Sequence, residues 1–322
     1  MRAFISGASG FVGSHLASLL LAGKWEVRAL WHKSPVRLEG KAEIVRGDLD
    51  DGDFLARSLE GVDVLFHLAA ALGFSLAGID EFRRINAAGT ENILQAAKKA
   101  GVRRIVHVSS GGALGVVRDG EVAGEDYPQN PQNAYDRTKL EGEKTALRLA
   151  REGLDVVIVR PGWTYGPGDR RTFKLIKSIH DKRFALVAEG RGRQTPVYIS
   201  DLVRGIELSA EKGRPGEIYH IAGNEILTVK EMAESIASAC GTRLPRVSPP
   251  LWMMKTAAAV LEKMFRLVGK EAPFNRSKLS FFIHPKALSI EKARRELGYE
   301  PAVDFGSGMA LAVAWYKDNG WL

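Results

Sequence analysis

The feature that most constrains the fold is a glycine-rich segment between a short apolar run and a helical pattern. Residues 2–6 read as a buried strand, Gly7, Gly10 and Gly13 follow it, and residues 12–22 read as a helix. Glycines at this spacing permit a tight turn, close approach of the backbone to a pyrophosphate, and close packing of helix on strand. Because the N-terminus of a helix favours an anion, the segment predicts a strand-turn-helix unit that binds a dinucleotide.

Short apolar runs alternate with helical patterns through the first half of the chain. This alternation is typical of the strands and crossover helices of a parallel sheet. We therefore predict an α/β fold with a doubly wound parallel sheet of the Rossmann type, which binds ligands at the carboxyl ends of its strands. The strand runs are 2–6, 26–30, 43–46, 62–68, 104–108 and 155–159, and the helical patterns include 12–22, 85–100 and 134–151.

The pattern changes after Pro161. Glycine- and proline-rich turns follow, then one more strand run at 217–221 and several helices. We predict that residues 1–163 and 196–224 form the dinucleotide-binding core. Residues 164–195 and 225–322 are expected to form a smaller C-terminal substrate-binding region that covers the carboxyl edge of the sheet.

Charge and cysteine content narrow the class of protein. The chain of 322 residues has a net charge of +8, and residues 161–322 hold 25 basic against 17 acidic residues. The most basic stretch, 170–193, indicates an anionic substrate, an acidic membrane surface or a solvated helix face. No nucleic-acid-binding module accompanies it, so nucleic acid is not an expected partner. The single cysteine, Cys240, cannot form an intrachain disulfide, which favours the cytoplasm as the location.

One long apolar stretch, 251–268, requires separate consideration. It carries Lys255, Glu262, Lys263 and Arg266, too many charges for a transmembrane segment. Its apolar residues recur on one side, which predicts an amphipathic helix. We expect this helix to pack against its own protein and to contribute an apolar wall to the substrate pocket. Peripheral contact with a bilayer surface is the alternative.

A tyrosine and a lysine with the spacing of an acid-base pair follow the fifth strand run. Tyr135 and Lys139 are four residues apart and therefore lie on one face of a helix. An ammonium near a phenol lowers the tyrosine pKa toward the range of a general acid-base. The strand run 104–108 leads into Ser109 and Ser110, which places two hydroxyls at the carboxyl edge of the sheet.

With these features, nearly the whole chain resembles the extended short-chain dehydrogenase/reductase family, the NAD-dependent epimerase/dehydratase group. Within this family the sequence most resembles the branch of 3β-hydroxysteroid dehydrogenase and dihydroflavonol reductase. The members of that branch act on larger, less polar alcohols and ketones. The resemblance implies a small-molecule substrate and a homodimer formed through the helices matching 85–100 and 134–151. Further matching motifs are Asp48-Leu49, His67-Leu68-Ala69-Ala70, Asn86-Ala-Ala-Gly-Thr90, 160–168, 197–201 and 292–301.

The resemblance assigns roles to particular residues. Tyr135 would exchange a proton with the substrate oxygen, and Lys139 would lower its pKa and bind the nicotinamide ribose. Ser110, with Ser109 as the alternative, would hydrogen-bond the same oxygen. Hydride would pass between the substrate carbon and the nicotinamide. The residues expected at the dinucleotide are Gly7, Ser9, Gly10, Phe11, Val12, Gly13, His32, Lys33, Asp48, Leu49, Leu68, Ala69, Ala70, Tyr135, Lys139 and Pro161.

Other polar residues are expected to support the structure. His67 and His107 have no visible metal partner in the sequence, so both are expected to be structural and no metal site is predicted. Asn86 is expected to be an architectural hydrogen-bonding residue.

The end of the second strand favours NADP(H) over NAD(H). An NAD-selective enzyme usually places a carboxylate there for the adenosine ribose, whereas an NADP enzyme places cations there for the 2′-phosphate. This chain has His32, Lys33 and Arg37 and no carboxylate at that strand end.

Two departures bear on the substrate. Trp163 stands where sugar-nucleotide members of the family usually have Asn, and Gln194, beside Arg193, stands where they tend to have Arg. These three residues are the candidates for substrate contact, and the departures favour a fairly apolar alcohol or ketone. A nucleotide-diphosphate-sugar epimerase or dehydratase, which the basic stretch would suit, and a non-catalytic NADP-binding sensor or scaffold are the alternatives.

Overall fold

The computed structural model describes residues 1–32, 42–72, 79–245, 249–267, 272, 274 and 276–322. The described strands are β1 (Arg2–Ser6), β2 (Glu26–Trp31), β3 (Ala42–Arg46), β4 (Val64–His67), β5 (Arg104–Val108), β6 (Val156–Pro161), β7 (Trp163–Tyr165), β8 (Arg193–Gln194), β9 (Pro196–Tyr198), β10 (Ile218–Ile221) and β11 (Leu227–Thr228). Seven of the observed strands, β1 to β6 and β10, agree with the predicted runs to within about two residues at either end, and the short strands β7, β8, β9 and β11 were not predicted.

Helices connect these strands and form the C-terminal region. A π-helical turn, Arg84–Ala88, lies between α3 and α4, and short 3₁₀ turns lie at Gly111–Leu114 and Val187–Gly190. The described helices are α1 (Phe11–Ala22), α2 (Gly52–Ser58), α3 (Ile79–Arg83), α4 (Gly89–Ala100), α5 (Ala134–Arg151), α6 (Arg170–His180), α7 (Ile199–Lys212), α8 (Val229–Cys240), α9 (Leu251–Leu267), α10 (Arg276–Ile283), α11 (Glu291–Leu297) and α12 (Phe305–Asp318).

Seven strands form a parallel sheet in the order β10-β6-β5-β4-β1-β2-β3. One apolar core lies between one face and α1 and α7, and another lies between the other face and α2, α4 and α5. A parallel sheet covered on both faces needs strands that are apolar throughout, which is why these segments read as continuous apolar runs. The predicted doubly wound α/β fold is confirmed.

A third core lies in the C-terminal region, where α6, α8, α10 and α12 pack together. β10 pairs with β6 and so returns to the edge of the main sheet, although its sequence lies well beyond Pro161. The exact residue boundaries predicted for the two regions stay predictions. Within the described ranges, no helix is long and apolar enough to cross a membrane.

The periodicity predicted a helix over residues 85–100. The structure has a helix there, but it is not α-helical throughout. It begins with the π-helical turn, in which Asn86 is fully buried. Asn86 Oδ1 accepts from Ala71 N at 2.8 Å, and its Nδ2 donates to Ala71 O and Thr138 Oγ1. The π-helical turn therefore directs this amide at the segment that follows β4, in keeping with the frequent position of such turns at functional sites.

Candidate active site

The glycine turn after β1 has the geometry that a bound pyrophosphate requires. Gly7 has a φ of +78°, and a Cβ on it would lie 2.7 Å from Ala69 N. A Cβ on Gly13 would lie 2.2 Å from Gly7 O. Gly10 begins α1 without a side-chain cap, and the first turn of this helix carries no acidic residue. The backbone N–H groups at the start of α1 are thus free to bind phosphate oxygens, so this part of the chain fits a dinucleotide.

The other predicted contacts of the glycine turn lie around it. Ser9 is exposed, and Phe11 and Val12 are half-buried at the start of α1. Leu68, Ala69 and Ala70 continue from β4 and are half-buried at the carboxyl edge. Asn86 holds the next residue of this segment, so a residue expected to be architectural positions part of the predicted cofactor surface.

A carboxylate lies where the adenosine end of the dinucleotide is predicted to bind. It comes from the segment after β3 and not from β2. Asp48 follows β3, and its Oδ2 lies 3.0 Å from His32 Nε2. Its Oδ1 lies 3.8 Å from an Arg84 guanidinium nitrogen. Leu49 beside it is buried. Lys33 lies outside the described residues, as does Arg37.

The predicted catalytic residues come together at the carboxyl end of β5. Ser110 Oγ accepts from Gly112 N at 3.0 Å and hydrogen-bonds the Tyr135 phenol. Lys139 is 2% exposed, and its Nζ donates to Val108 O at 2.8 Å. Ser110 therefore caps the turn that follows β5 and also contacts the phenol. The roles of the three side chains in a reaction stay predictions.

Burial controls the acid-base properties of this group. It raises the pKa of Tyr135, which the positive charge of Arg171 and the hydrogen bond from Ser110 oppose. Burial lowers the pKa of Lys139 to about 8, and the charge of Glu143 opposes that shift. The sequence predicted that Lys139 would lower the tyrosine pKa. Here the cation that does so is Arg171, while the Lys139 ammonium is directed at a backbone carbonyl.

Ser109 has a different environment from Ser110. Its Oγ donates to Glu143 Oε2 at 2.8 Å. Glu143 is in turn paired with Arg160 through two hydrogen bonds of 2.6 and 3.0 Å, and both side chains are 0% exposed. The hydroxyl of Ser109 thus stabilises a buried ion pair, which leaves Ser110 as the serine that faces Tyr135.

An acidic residue that sequence reasoning missed fixes the start of α5. Asp136 is buried, and its Oδ2 accepts from Asn133 Nδ2 at 2.8 Å and from Lys286 Nζ at 3.2 Å. A Cβ on Gly112 would lie 2.0 Å from Asp136 Oδ1, so the carboxylate packs directly against the turn that Ser110 caps. Asp136 therefore holds Tyr135 and Ser110 in register. Only its position beside Tyr135 could have drawn attention to it.

Two of the three histidines in the strands of the main sheet, His67 and His107, pair side by side on β4 and β5 and are buried and neutral. His67 Nδ1 lies 2.7 Å from Ser6 Oγ and its Nε2 lies 3.0 Å from Thr90 Oγ1, which fits the predicted structural role. His107 stacks on it at a ring-centroid distance of 5.3 Å. Burial, followed by the charge of Lys139, lowers the pKa of both, that of His67 to about 3.

The predicted substrate residues lie beyond the end of β6. Pro161 ends that strand, and the Trp163 ring stacks on Tyr165 at 5.8 Å and packs on Phe281 at 5.9 Å. Gln194 is buried, and its Nε2 lies 3.4 Å from Phe281 O. Arg193 is half-buried. Trp163 and Gln194 therefore meet at Phe281, where the C-terminal region covers the sheet edge. Their contact with a substrate stays a prediction.

The arrangement combines three chemical capabilities at one sheet edge. Free helical N–H groups can hold phosphates. A phenol that hydrogen-bonds a serine hydroxyl can transfer a proton to or from an oxygen. The aromatic surface at Trp163 can contact an apolar molecule. Among the described residues, no group of histidine, cysteine or acidic side chains could hold a metal ion.

Comparison with known proteins gives a consistent picture. The sequence profile of the NAD-dependent epimerase/dehydratase family matches residues 3–222. The chain is 32% identical to a 4-hydroxy-2-methyl-3-oxo-4-farnesyl-3,4-dihydroquinoline-1-oxide ketoreductase of Stigmatella aurantiaca, over 96% of this chain and 95% of that one. It is also 32% identical to a 3β-hydroxysteroid dehydrogenase/Δ5→4-isomerase of Mycobacterium tuberculosis, over 98% of this chain and 90% of that one. The structure of the dTDP-glucose 4,6-dehydratase DesIV of Streptomyces venezuelae, with NAD bound, superimposes with a TM-score of 0.81 at 31% identity, covering 100% of this chain and 98% of that one.

The lowered pKa of His67 predicts loss of stability in mild acid. The folded protein keeps this imidazole neutral down to about pH 3, whereas the unfolded chain binds a proton below the ordinary pKa of 6.5. The unfolded state therefore binds more protons between these values, and the free energy of unfolding falls as pH decreases through that window. One such group contributes a slope of about 1.4 kcal/mol per pH unit.

The slope can be measured by urea unfolding at a series of pH values between 6.5 and the acid limit of reversible folding. His67→Gln should make the slope less steep by about 1.4 kcal/mol per pH unit, while the buried His107 and His220, whose pKa values burial also lowers, keep their share of it. Equal slopes in wild type and His67→Gln would contradict the prediction.

Proposed function

This chain belongs to the NAD-dependent epimerase/dehydratase family, and from this premise we propose that it interconverts a secondary alcohol and a ketone, using Tyr135 as the acid-base. Membership makes it an extended short-chain dehydrogenase/reductase and an enzyme that uses a nicotinamide dinucleotide. The observation that carries the finer proposal is that Ser110 lies close enough to the Tyr135 phenol to lower its pKa, at the carboxyl end of β5 and so on the same edge of the parallel sheet as the glycine turn.

In this proposal the side chains transfer a proton and stabilise the charge that develops on the substrate oxygen. Tyr135 donates its phenolic proton to the oxygen of a ketone, or accepts one from an alcohol. Because burial raises the tyrosine pKa, the phenol is protonated near neutral pH, which suits the reductive direction. Ser110 donates a hydrogen bond to the same oxygen, and the cations Lys139 and Arg171 stabilise the negative charge that develops there. The bound dinucleotide would supply or accept hydride at the nicotinamide.

We propose a fairly apolar substrate. The aromatic rings around Trp163 offer an apolar surface at the end of β6. Gln194, which stands where sugar-nucleotide members tend to have arginine, is buried and its amide is directed at two backbone carbonyls. The names of the relatives from S. aurantiaca and M. tuberculosis, a ketoreductase of a farnesylated quinoline and a hydroxysteroid dehydrogenase, support the same substrate class.

A nucleotide-diphosphate sugar is the second candidate. Arg171 lies close enough to Tyr135 for its charge to lower the phenol's pKa, and its side chain is 51% exposed, so it could face a substrate diphosphate. The likeness to a dTDP-glucose dehydratase supports this candidate as well. A third, the non-catalytic sensor or scaffold, is disfavoured because Tyr135 and Lys139 are both retained.

Two further properties belong to the proposal. We propose a homodimer in which α4 and α5 form the contact, as the family resemblance implies. The single cysteine favours a cytoplasmic location.

Two assays distinguish an apolar alcohol or ketone from a nucleotide-diphosphate sugar as the substrate. Incubation with hydroxysteroids and aromatic ketones should change NADPH or NADP absorbance in proportion to turnover. Incubation with UDP- and dTDP-sugars should give no epimer or dehydrated sugar by chromatography. Conversion of a nucleotide sugar without net change of the dinucleotide would establish the second candidate instead.

Tyr135→Phe tests the acid-base role. Without the phenolic hydroxyl, kcat should fall at least about a hundredfold, while the dissociation constant of the dinucleotide changes little. Tyr219→Phe is the matched control, since that hydroxyl hydrogen-bonds Arg214 and Glu296 away from the carboxyl edge. Unchanged turnover in Tyr135→Phe would remove this residue from its role.

For the dinucleotide we propose NADP(H) over NAD(H). His32 directly follows β2, and the carboxylate beside it, Asp48, is already engaged by His32 and Arg84. Fluorescence titration should show tighter binding of NADPH than of NADH. His32→Ala should weaken NADPH binding and leave NADH binding nearly unchanged, with His180→Ala as the control. Tighter binding of NADH to the wild type would overturn the preference.

A further inference from the structure

α9 packs on the protein with one side and exposes apolar residues on the other. Leu251 and Met254 pack against the C-terminal core, and Ala258 is fully buried. On the outer side the exposed fractions are 71% for Trp252, 42% for Met253, 51% for Val260 and 57% for Met264.

These side chains form a continuous stripe. At 3.6 residues per turn, Trp252, Met253, Val260 and Met264 fall within about 120° of the helix circumference, so they share one face of α9. Of the ten large hydrophobic side chains exposed among the described residues, four are on this one helix. Apolar groups concentrated in this way mark a surface that contacts something other than water.

Two lysines adjoin the stripe. Both are exposed: Lys263 lies on the same face as Trp252 and Val260, and Lys255 borders that face on the Trp252 side. Neither forms an ion pair with any residue that the structure describes. The whole chain carries a net charge of +8, which adds to their attraction for an anion. Tryptophan and other apolar residues combined with lysines are typical of helices that lie in the interface of a bilayer.

The stripe adjoins the region that covers the candidate active site. Burial lowers the pKa of His284, and the charges of Lys286 and then Lys255 lower it further, so Lys255 lies near this histidine. His284 O lies 3.4 Å from Gln194 Nε2, and Lys286 pairs with Asp136 beside Tyr135. A surface in contact with the exposed face of α9 would therefore lie near the part of the C-terminal region that covers the candidate active site.

We propose that the exposed face of α9, formed by Trp252, Met253, Val260 and Met264 with Lys255 and Lys263, docks the protein on the surface of an anionic lipid bilayer. The helix would lie in the plane of the membrane, with the indole and the aliphatic side chains among the headgroups and upper acyl chains. The lysines would bind the lipid phosphates.

Charge selects this occupant over a second copy of the chain. In a symmetric contact the same patch faces itself, so Lys255 and Lys263 would approach the same lysines of the partner. Such like charges repel at close range. An anionic membrane surface complements both the lysines and the apolar stripe.

Co-sedimentation with vesicles tests the proposal without any assay of turnover. The wild type should bind vesicles of phosphatidylcholine with phosphatidylglycerol and bind pure phosphatidylcholine vesicles more weakly, and added salt should reduce binding to the anionic vesicles. The triple variant Trp252→Ser, Val260→Ser, Met264→Ser should lose most of this binding. Leu311→Ser, which removes a leucine 54% exposed on α12, is the matched control and should bind as the wild type does.

A second variant tests the role of charge. Lys255→Glu with Lys263→Glu should weaken binding to anionic vesicles by at least roughly fivefold for each lysine. Because the wild-type comparison of lipids and salt needs no substitution, a variant that fails to fold does not remove the test. Absence of wild-type binding to anionic vesicles, or equal binding by the triple variant and the Leu311→Ser control, would overturn the proposal. So would a wild-type dimer that the triple variant converts to a monomer with no vesicle binding in either.

The outcome is independent of the proposed chemistry. The α9 variants should lose vesicle binding but should still turn over a water-soluble ketone at the normal rate. Tyr135→Phe should lose turnover and keep vesicle binding, so failure of one proposal is distinguishable from failure of the other.

Discussion

The buried ion pair between Arg160 and Glu143 connects the sheet to the helix that carries the candidate catalytic residues. Arg160 belongs to β6 and Glu143 to α5, and neither side chain is exposed. Isolated charges at such depth would be very costly, so the pair is stable only because its hydrogen bonds are nearly complete. Ser109 Oγ donates to the carboxylate, and Arg160 also donates to Glu125 O at 2.9 Å. Removing either partner would leave an unpaired buried charge beneath the site.

The same ion pair influences the electrostatics above it. Glu143 lies one helical turn beyond Lys139 and opposes the lowering of the lysine pKa by burial. His67 and His107, which lie close to the ammonium, remain neutral because burial outweighs their ordinary basicity. The low-dielectric surroundings strengthen each of these interactions. The site is therefore a set of coupled charges held by packing, in which Lys139 is the ammonium nearest the sheet and Arg171 is the one that acts on the phenol.

The C-terminal region completes the site from the other side. Lys286 reaches Asp136 at the start of α5, and the aromatic cluster at Trp163 includes Phe281 of α10. α9, which packs on α10, carries the exposed apolar stripe. If an apolar substrate is taken from a bilayer, this arrangement places the docking surface and the substrate surface on one region of the molecule. The two proposals are physically compatible, although each is tested by itself.

The sequence by itself determined the strands of the main sheet, the glycine turn and the positions of Ser110, Tyr135 and Lys139. These features depend on local periodicity and on the carboxyl edge of a parallel sheet, where the ends of successive strands meet. Only the tertiary structure decided the partners of these residues. Asp136 meets Lys286 across 150 positions, and Asp48 comes beside His32 from a different strand. The π-helical turn at Asn86 likewise depends on a backbone segment 15 residues away. Such contacts join residues whose separation in the chain carries no periodic signal, because they are fixed by how the elements pack.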